Sequence, residues 1–418
     1  MNALQEKKKT NANTNIGFLP TLIIIFVSND TLLFGTNSIR YFFWIHVGIL
    51  LILFIYLTWN TKRISSNVLC FLLLLTTMMI LTFVVNQDNE VIKYLYNAFV
   101  ILLCGLFCKK VKFQDFFKAY VNIVSYIALF AIILFMLWMV AAPVVRLFPS
   151  ITNESGIRYY FAGLGFVEEL NFGVLPRMYG IFREPGVFTC YLILALIMEL
   201  YFTEQLNIRA VLIISLAAIL TFSTAAYILV SILLVGYFTK QLFGSSHKNK
   251  KVFRLLIALV ILIMTVFLLI GPEKIFGIVF NKLKVENSSR DSRFGSISAN
   301  VQIFLESPML GKGWEYVEDK FVYFASLGTY RGAHNTNTFL KILAIYGVAF
   351  FICMIVTTYI FFKKESRSIY WGIFLTIMWI VTLSNEDMSV NILFYLFPFY
   401  ALENNRKNER IICENISD

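Results

Sequence analysis

Long apolar stretches, separated by shorter polar segments, run along almost the whole chain. A helix needs about 20 predominantly apolar residues to cross the hydrocarbon core of a bilayer. By that measure we expect about twelve transmembrane spans, at 17–35, 40–58, 66–86, 91–108, 118–145, 186–203, 207–222, 223–239, 254–272, 335–362, 368–384 and 388–402. Ser28-Asn29-Asp30 interrupts the first span, and the seventh and eighth are short, so the number could fall by one or two. The pattern predicts an all-α polytopic membrane protein, with residues 1–418 forming a single integral-membrane domain.

The composition excludes an ordinary soluble protein. The chain is 58% hydrophobic and 15% charged, with a mean hydropathy of +0.73. Soluble proteins are about 45–50% apolar and about 25% charged. A secreted protein with a cleaved signal is excluded too, because apolar stretches recur up to the C-terminus instead of stopping after the first.

The distribution of Lys and Arg predicts how the chain is oriented. If the N-terminus is cytoplasmic, every short inner loop is basic, whereas short outer loops such as 87–90 and 385–387 are neutral or acidic. This agrees with the excess of positive charge found on cytoplasmic loops, so we expect both termini in the cytoplasm. The formal net charge of +11 then reflects topology, and we expect no nucleic-acid partner.

Two predicted outer loops are much longer than the others and concentrate the candidate chemistry. They cover 146–185, which leads into span six, and 273–334, between spans nine and ten, where we expect short surface helices. Long loops on a rigid scaffold commonly carry binding and catalytic residues. Seven arginines lie in them: Arg146, Arg158, Arg177, Arg183, Arg290, Arg293 and Arg331.

The segment from Arg177 to Gly186 is the first candidate site. Pro185 fits the first position of a helix, which would aim the N-terminus of span six, with its free N–H groups, at the outer mouth. Arg177 and Arg183 beside that terminus suit an anion, because a guanidinium matches phosphate oxygens bidentately. Two simpler interpretations are an Arg183–Glu184 ion pair at the interface and contact between Arg177 and lipid phosphate.

The second candidate is His334, where the other long loop enters span ten close to Arg331. A free histidine titrates near neutral pH, so it can take a proton from a sugar hydroxyl. A purely structural histidine is the alternative. The Gly311-Lys312-Gly313 segment lacks the spacing of a phosphate-binding P-loop, and we expect a tight turn there. No D-x-D or zinc-ligand spacing occurs in the sequence, so we expect a reaction without a metal or cofactor.

Three motifs, in order, resemble those of the bacterial O-antigen polymerase and O-antigen ligase superfamily. They are R-x-x-G-x-F-x-x-P from Arg177 to Pro185, R-x14-P-x-x-G-x-G from Arg293 to Gly313, and His334-Asn335 with Gly347 downstream. The resemblance covers about 170–350, and elsewhere it extends only to the hydropathy profile. In the family the motif proline is often followed by Asn, where this chain has Gly186, and an aromatic residue commonly occupies the place of Ile297.

The resemblance implies a GT-C-like glycosyltransferase in the bacterial inner (plasma) membrane, with its active site facing the periplasm or exterior. Its donor would be a polyprenyl-diphosphate-linked oligosaccharide, and a chain-length regulator is a conceivable further partner. Arg177 and Arg293 match the motif arginines and His334 the motif histidine, whereas Arg183, Glu184, Arg290 and Arg331 are candidates on chemical grounds alone. Arginines would stabilise the leaving diphosphate without a metal, and His334, with Glu184 in reserve, would activate the acceptor hydroxyl in one inverting displacement.

Three functions stay open at this point. The preferred one is a polymerase that transfers the growing glycan onto a lipid-linked repeat unit of O-antigen, capsule or exopolysaccharide. A ligase would use the same donor but a lipid or protein acceptor. A transporter of lipid-linked sugars would share the hydropathy, yet transporters usually carry ionisable groups and broken helices near the middle of the bilayer.

Overall fold

The computed structural model of the chain describes residues 17–35, 40–59, 63–152, 157–169, 177–203, 205–243, 288–327 and 334–403. The first half of these residues forms α1 (Gly17–Phe26), α2 (Leu32–Gly35), α3 (Arg40–Thr58), α4 (Ser66–Asn86), α5 (Val91–Lys110) and α6 (Phe113–Val145). A small sheet, β1 (Ser150–Thr152), β2 (Arg158–Ala162) and β3 (Gly165–Glu168), follows. The remaining helices are α7 (Pro185–Tyr201), α8 (Ile208–Leu220), α9 (Thr224–Phe243), α10 (Ser288–Glu306), α11 (Gly313–Leu327), α12 (Thr338–Ser366), α13 (Ile369–Leu383) and α14 (Ile392–Leu402).

The helices agree with the predicted spans wherever the two can be compared. Helices lie at eleven of the twelve predicted positions, and the remaining one, 254–272, falls outside the described residues. Among the described helices, α4, α5, α6, α9 and α12 are long and apolar enough to cross a membrane. The fold is therefore that of a polytopic membrane protein, while the number of twelve spans and the cytoplasmic position of the termini stay predictions.

The prediction of a purely α-helical fold is wrong in the loop before α7. Residues 150–152, 158–162 and 165–168 form a three-stranded antiparallel sheet in the order β1-β2-β3. Only two residues separate β2 from β3, and Gly163 adopts the positive φ of 58° that this tight turn favours. Tyr160 and Val167 pair across the sheet and pack with Trp138 of α6, so tertiary contact stabilises strands that are too short to be recognised from periodicity.

Helix α7 is the central helix of the described structure. Every residue from Pro185 to Tyr201 is buried, and α6, α8, α9 and α13 all pack against it. A helix that is apolar on every side is typical of a buried helix, and other parts of the protein enclose α7 on every side. Its N-terminus therefore opens among other helices and loops rather than onto lipid.

Two helices, α10 and α11, lie in the segment for which we predict short surface helices, and their place at the membrane surface stays a prediction. The turn between them docks into a break in α12. At Gly347, α12 leaves the helical conformation, with φ 76° and ψ −177°. Across this break the amide of Lys312 donates to the carbonyl of Ala344 at 2.9 Å. The Gly311-Lys312-Gly313 segment is thus a tight turn, as predicted, and its backbone satisfies groups that the break would leave unpaired.

Helix α11 is held by the short loop between α4 and α5. The Asp88 carboxylate accepts hydrogen bonds from the amide of Trp314 at 2.6 Å and from the hydroxyl of Tyr94 at 2.9 Å. Asn89 donates its side-chain amide to Glu315 at 2.9 Å. A carboxylate suits the unpaired amides and positive end of a helix N-terminus, so this loop fixes α11 beside the membrane helices.

Candidate functional site

The segment before α7 runs alongside the interruption of the first predicted span. The amide of Leu32 donates to the carbonyl of Ile181 at 2.9 Å, and the amide of Arg183 donates to the carbonyl of Asp30 at the same distance. Glu184 is the extended residue immediately before the helix, and Pro185 is its first residue, as predicted. This pairing sets the place of Arg183 and Glu184 relative to the helix terminus.

Arg183 is the centre of an ion-pair network at this terminus. Its guanidinium lies 3.6 Å from the Asp30 carboxylate and 3.5 Å from that of Glu184, and it donates to the carbonyl of Asp387 at 3.0 Å. Burial on its own would lower the pKa of Arg183, but the charges of Asp30 and Glu184 outweigh it and raise that pKa. The predicted Arg183–Glu184 pair is therefore present, as one part of a larger cluster.

Asp30 is buried next to this guanidinium. Its carboxylate also accepts a hydrogen bond from the side-chain amide of Asn391, which in turn donates to the Tyr191 hydroxyl at 2.8 Å. The positive charge of Arg183 beside it compensates this buried carboxylate.

The loop between α13 and α14 brings two further acids to the same place. Thr338, the first residue of α12, donates its hydroxyl to the backbone carbonyl of Glu386 at 2.6 Å, and the amide of Met388 donates to that hydroxyl at 2.8 Å. Burial on its own would raise the pKa of Asp387, but the Lys341 ammonium, 2.7 Å away, holds it below its usual range.

Glu386 lies directly against the first turn of α7. A side chain at Gly186 would overlap the Glu386 carboxylate, so a larger residue at this position would require that carboxylate to move. The residue is only 6% exposed. Burial raises the pKa of Glu386 to about 8, with the negative charge of Glu184 as the next cause, whereas the charges of Arg183 and Arg293 lower it.

Helix α10, which carries Arg293, also binds the segment that contains His334. The hydroxyl of Ser296, one turn after Arg293, donates to the backbone carbonyl of His334 at 3.0 Å. One turn further on, Asn300 and Asn335 exchange two hydrogen bonds of 3.0 and 2.9 Å between their side-chain amides. These contacts hold the exposed His334, in the segment before α12, beside the helix that carries Arg293, whose charge acts on Glu386.

Arg177 lies on another side of α7. Its Nε donates to the carbonyl of Thr221 at 3.3 Å, and the Thr221 hydroxyl is 3.1 Å from that of Thr189, one turn into α7. Arg177 thus reaches the junction of α8 and α9, and no distance links it to the cluster around Arg183. Of the other candidates, Arg331 lies outside the described residues, and Arg290 is part of α10 but its side chain is not described.

Sequence reasoning missed the acids that complete the cluster. In the sequence, Asp30 stands out only as part of the interruption of a span, and Glu386 and Asp387 only as acids of a short outer loop. A signal was available, because an ionisable residue beside a long apolar run is costly unless it is paired or functional. The partner of each residue, however, lies far away in the sequence.

One comparison with known proteins gives a match. Residues 210–355 match the family model of the O-antigen ligase, a range that includes Arg293, His334 and Gly347 but begins after Arg177, Arg183 and Glu184. The match confirms the resemblance to the O-antigen polymerase and ligase superfamily and supports an enzyme of that kind in a membrane. Searches of the curated proteins and of the solved structures gave no match.

Proposed function

We propose that this chain, as a member of the O-antigen polymerase and ligase superfamily, is a membrane glycosyltransferase that takes its glycan from a polyprenyl-diphosphate donor. The observation that carries the proposal is the buried N-terminus of α7, where the Arg183 guanidinium lies 3.5 Å from Glu184, the residue before the helix, and where the charge of Arg293 acts on the same Glu386 as that of Arg183. The amides and the positive end of a helix N-terminus favour an anion, and guanidinium groups match phosphate oxygens. A diphosphate is the anion that such a donor would bring there.

The chemistry of the donor fits such a site. A diphosphate is a good leaving group that needs its developing charge stabilised, and donors already in place do this without reorganisation. Arg177 and Arg293 are the proposed ligands, with Arg290 and Arg331 as further anion-binding candidates. Contacts with Asp30, Glu184 and Asp387 hold Arg183 in place. Because a guanidinium has five N–H donors, more than these contacts use, Arg183 can still contribute to the binding of an anion.

The proposed base is His334, which would take the proton of the acceptor hydroxyl as that oxygen attacks the anomeric carbon. The bond from this carbon to the diphosphate breaks in the same step, so the anomeric configuration inverts. His334 is exposed and attached through its carbonyl to the helix that carries Arg293, which suits a group that meets an incoming sugar. Glu184, at the terminus of α7 with its carboxylate partly exposed, is the second candidate.

The broken helix α12 does not favour a transporter. In transporters, the ends of a broken helix bind the substrate or a coupling ion. Here the turn before α11 occupies the break and pairs with its backbone on both sides. The charged side chains gather instead at the ends of α7 and α12 and in the loop before α14.

We propose that the enzyme is a polymerase at the outer face of the inner membrane. A ligase is the second candidate, because the matching family model is described as an O-antigen ligase. A deletion strain and a strain with Arg293→Lys separate the functions. Loss of a polymerase leaves glycan of a single repeat unit on its final acceptor. Loss of a ligase leaves polymer on the polyprenyl carrier, and loss of a transporter leaves unpolymerised repeat units facing the cytoplasm. Normal surface polymer in the deletion strain would contradict all three functions.

A further inference from the structure

Glu386 occupies the place at the N-terminus of α7 where an anionic ligand would bind. Its carboxylate lies against Gly186, in the space that any larger residue at this position would fill. The residue is 94% buried, since only 6% of it is exposed. Within the part of the chain that the structure describes, the loop is held through the Glu386 backbone carbonyl, and no hydrogen bond reaches its carboxylate.

Charged groups from several elements face this carboxylate. Two positive charges, Arg183 before α7 and Arg293 on α10, stabilise its ionised form, whereas two negative charges, Glu184 and Asp30, oppose it. The neighbouring Asp387 is neutralised by Lys341 at 2.7 Å. Glu386 is thus the buried acid of this cluster that has no close cation of its own among the described residues.

We propose that Glu386 is a proton-dependent gate of the anion site: its ionised carboxylate occupies the N-terminus of α7 and excludes the diphosphate, which binds only while Glu386 carries a proton. This inference rests on the proposed function, because it assumes that a diphosphate binds at the N-terminus of α7, with Arg293 among its ligands and Arg183 contributing charge. The proton comes from solvent when the anion binds and returns to solvent when the anion leaves, so no other reactant is needed.

The physical reason is that two anions compete for one set of positive charges. An ionised carboxylate beside a diphosphate is repelled, whereas a protonated carboxyl group can donate a hydrogen bond to a phosphate oxygen. Because burial already raises the pKa of Glu386 to about 8, protonation near neutral pH costs little. A bound diphosphate raises this pKa further, so the affinity is highest below pH 8 and falls as the pH rises above it.

The test measures binding of inorganic pyrophosphate to the purified full-length protein by isothermal titration calorimetry between pH 7 and pH 9. Pyrophosphate itself titrates in this range and would change the affinity of any variant. We therefore divide the affinity of the wild type by that of Glu386→Gln at each pH, which removes this common effect. We expect this ratio to fall roughly tenfold from pH 7 to pH 9, as for a single carboxyl group that must be protonated. Asp319→Asn, at an exposed position on α11, should behave as the wild type.

The outcomes separate this inference from the proposed function. If pyrophosphate binds and the ratio does not change with pH, the gate is refuted while the anion site stands. If the wild type does not bind pyrophosphate at any of these pH values, the anion site of the proposed function is refuted. Should Glu386→Gln fail to fold, wild-type titrations at pH 9 in two buffers of different ionisation enthalpy count the protons taken up, and an uptake no larger than that of pyrophosphate itself overturns the gate.

Discussion

The amide of Val348 donates a hydrogen bond of 2.9 Å to the carbonyl of Pro308, across the break in α12. This contact explains two glycines of the sequence motifs. A side chain at Gly347 would meet the carbonyl of Met309, and one at Gly311 would meet that of Ile345. The glycines therefore allow two backbones to touch, and they connect the segment that carries Arg293 to the helix that follows His334.

Gly347→Ala should destabilise the protein by about 1–3 kcal/mol or more, because its backbone conformation is almost restricted to glycine. Thermal unfolding in detergent measures the effect. Gly48→Ala is the matched control, since a side chain there meets nothing within 4 Å and a helical position gains from alanine. Equal unfolding temperatures for the two variants would contradict the docking role of Gly347.

The sequence was a good guide to the helices and a poor one to the contacts between loops. Hydropathy predicts the helices because each span must be apolar over its own length, a property that is local in the chain. The strands at 150–168 escaped because three to five residues in a polar loop carry too little periodicity. The contact of Gly186 with Glu386 escaped because it depends on how α7 and the loop before α14 pack, which no local pattern encodes.

Arg177→Lys and Arg293→Lys should each lower polymer formation at least tenfold, the effect of weakening a bidentate contact worth about 1.5–3 kcal/mol. Lysine keeps the charge but loses the planar fork, and at position 177 it also cannot reproduce the geometry of the Nε contact with Thr221. Arg209→Lys, at an exposed position on α8, is the control. If chain-length profiles stay normal at normal protein levels, both arginines serve only to contact lipid phosphate.

The predicted orientation can be tested by labelling in intact cells of a strain whose protein lacks the native cysteines. Single cysteines at Ser155 and Ser288 should react with an impermeant maleimide, because the distribution of Lys and Arg places both loops outside. A cysteine at Ser245 should react only after the membrane is permeabilised. Labelling of Ser245 with protection of the other two positions would reverse the orientation and remove the proposed site from the outer face.

Comparison with Ser296 distinguishes a catalytic role of His334 from a purely structural one. If His334 is the general base, His334→Ala should lower turnover by about two to four powers of ten at normal protein levels, the usual contribution of a placed base. His334→Gln should bind the acceptor but not restore turnover, because glutamine can form a hydrogen bond to a hydroxyl but cannot take its proton. Ser296→Ala removes the hydrogen bond to the His334 carbonyl and leaves the imidazole in place, so its effect should be far smaller.

If Gln restores activity, His334 orients the acceptor and Glu184 becomes the candidate base. If His334→Ala and Ser296→Ala lower protein levels and activity together, His334 only anchors the loop to α12.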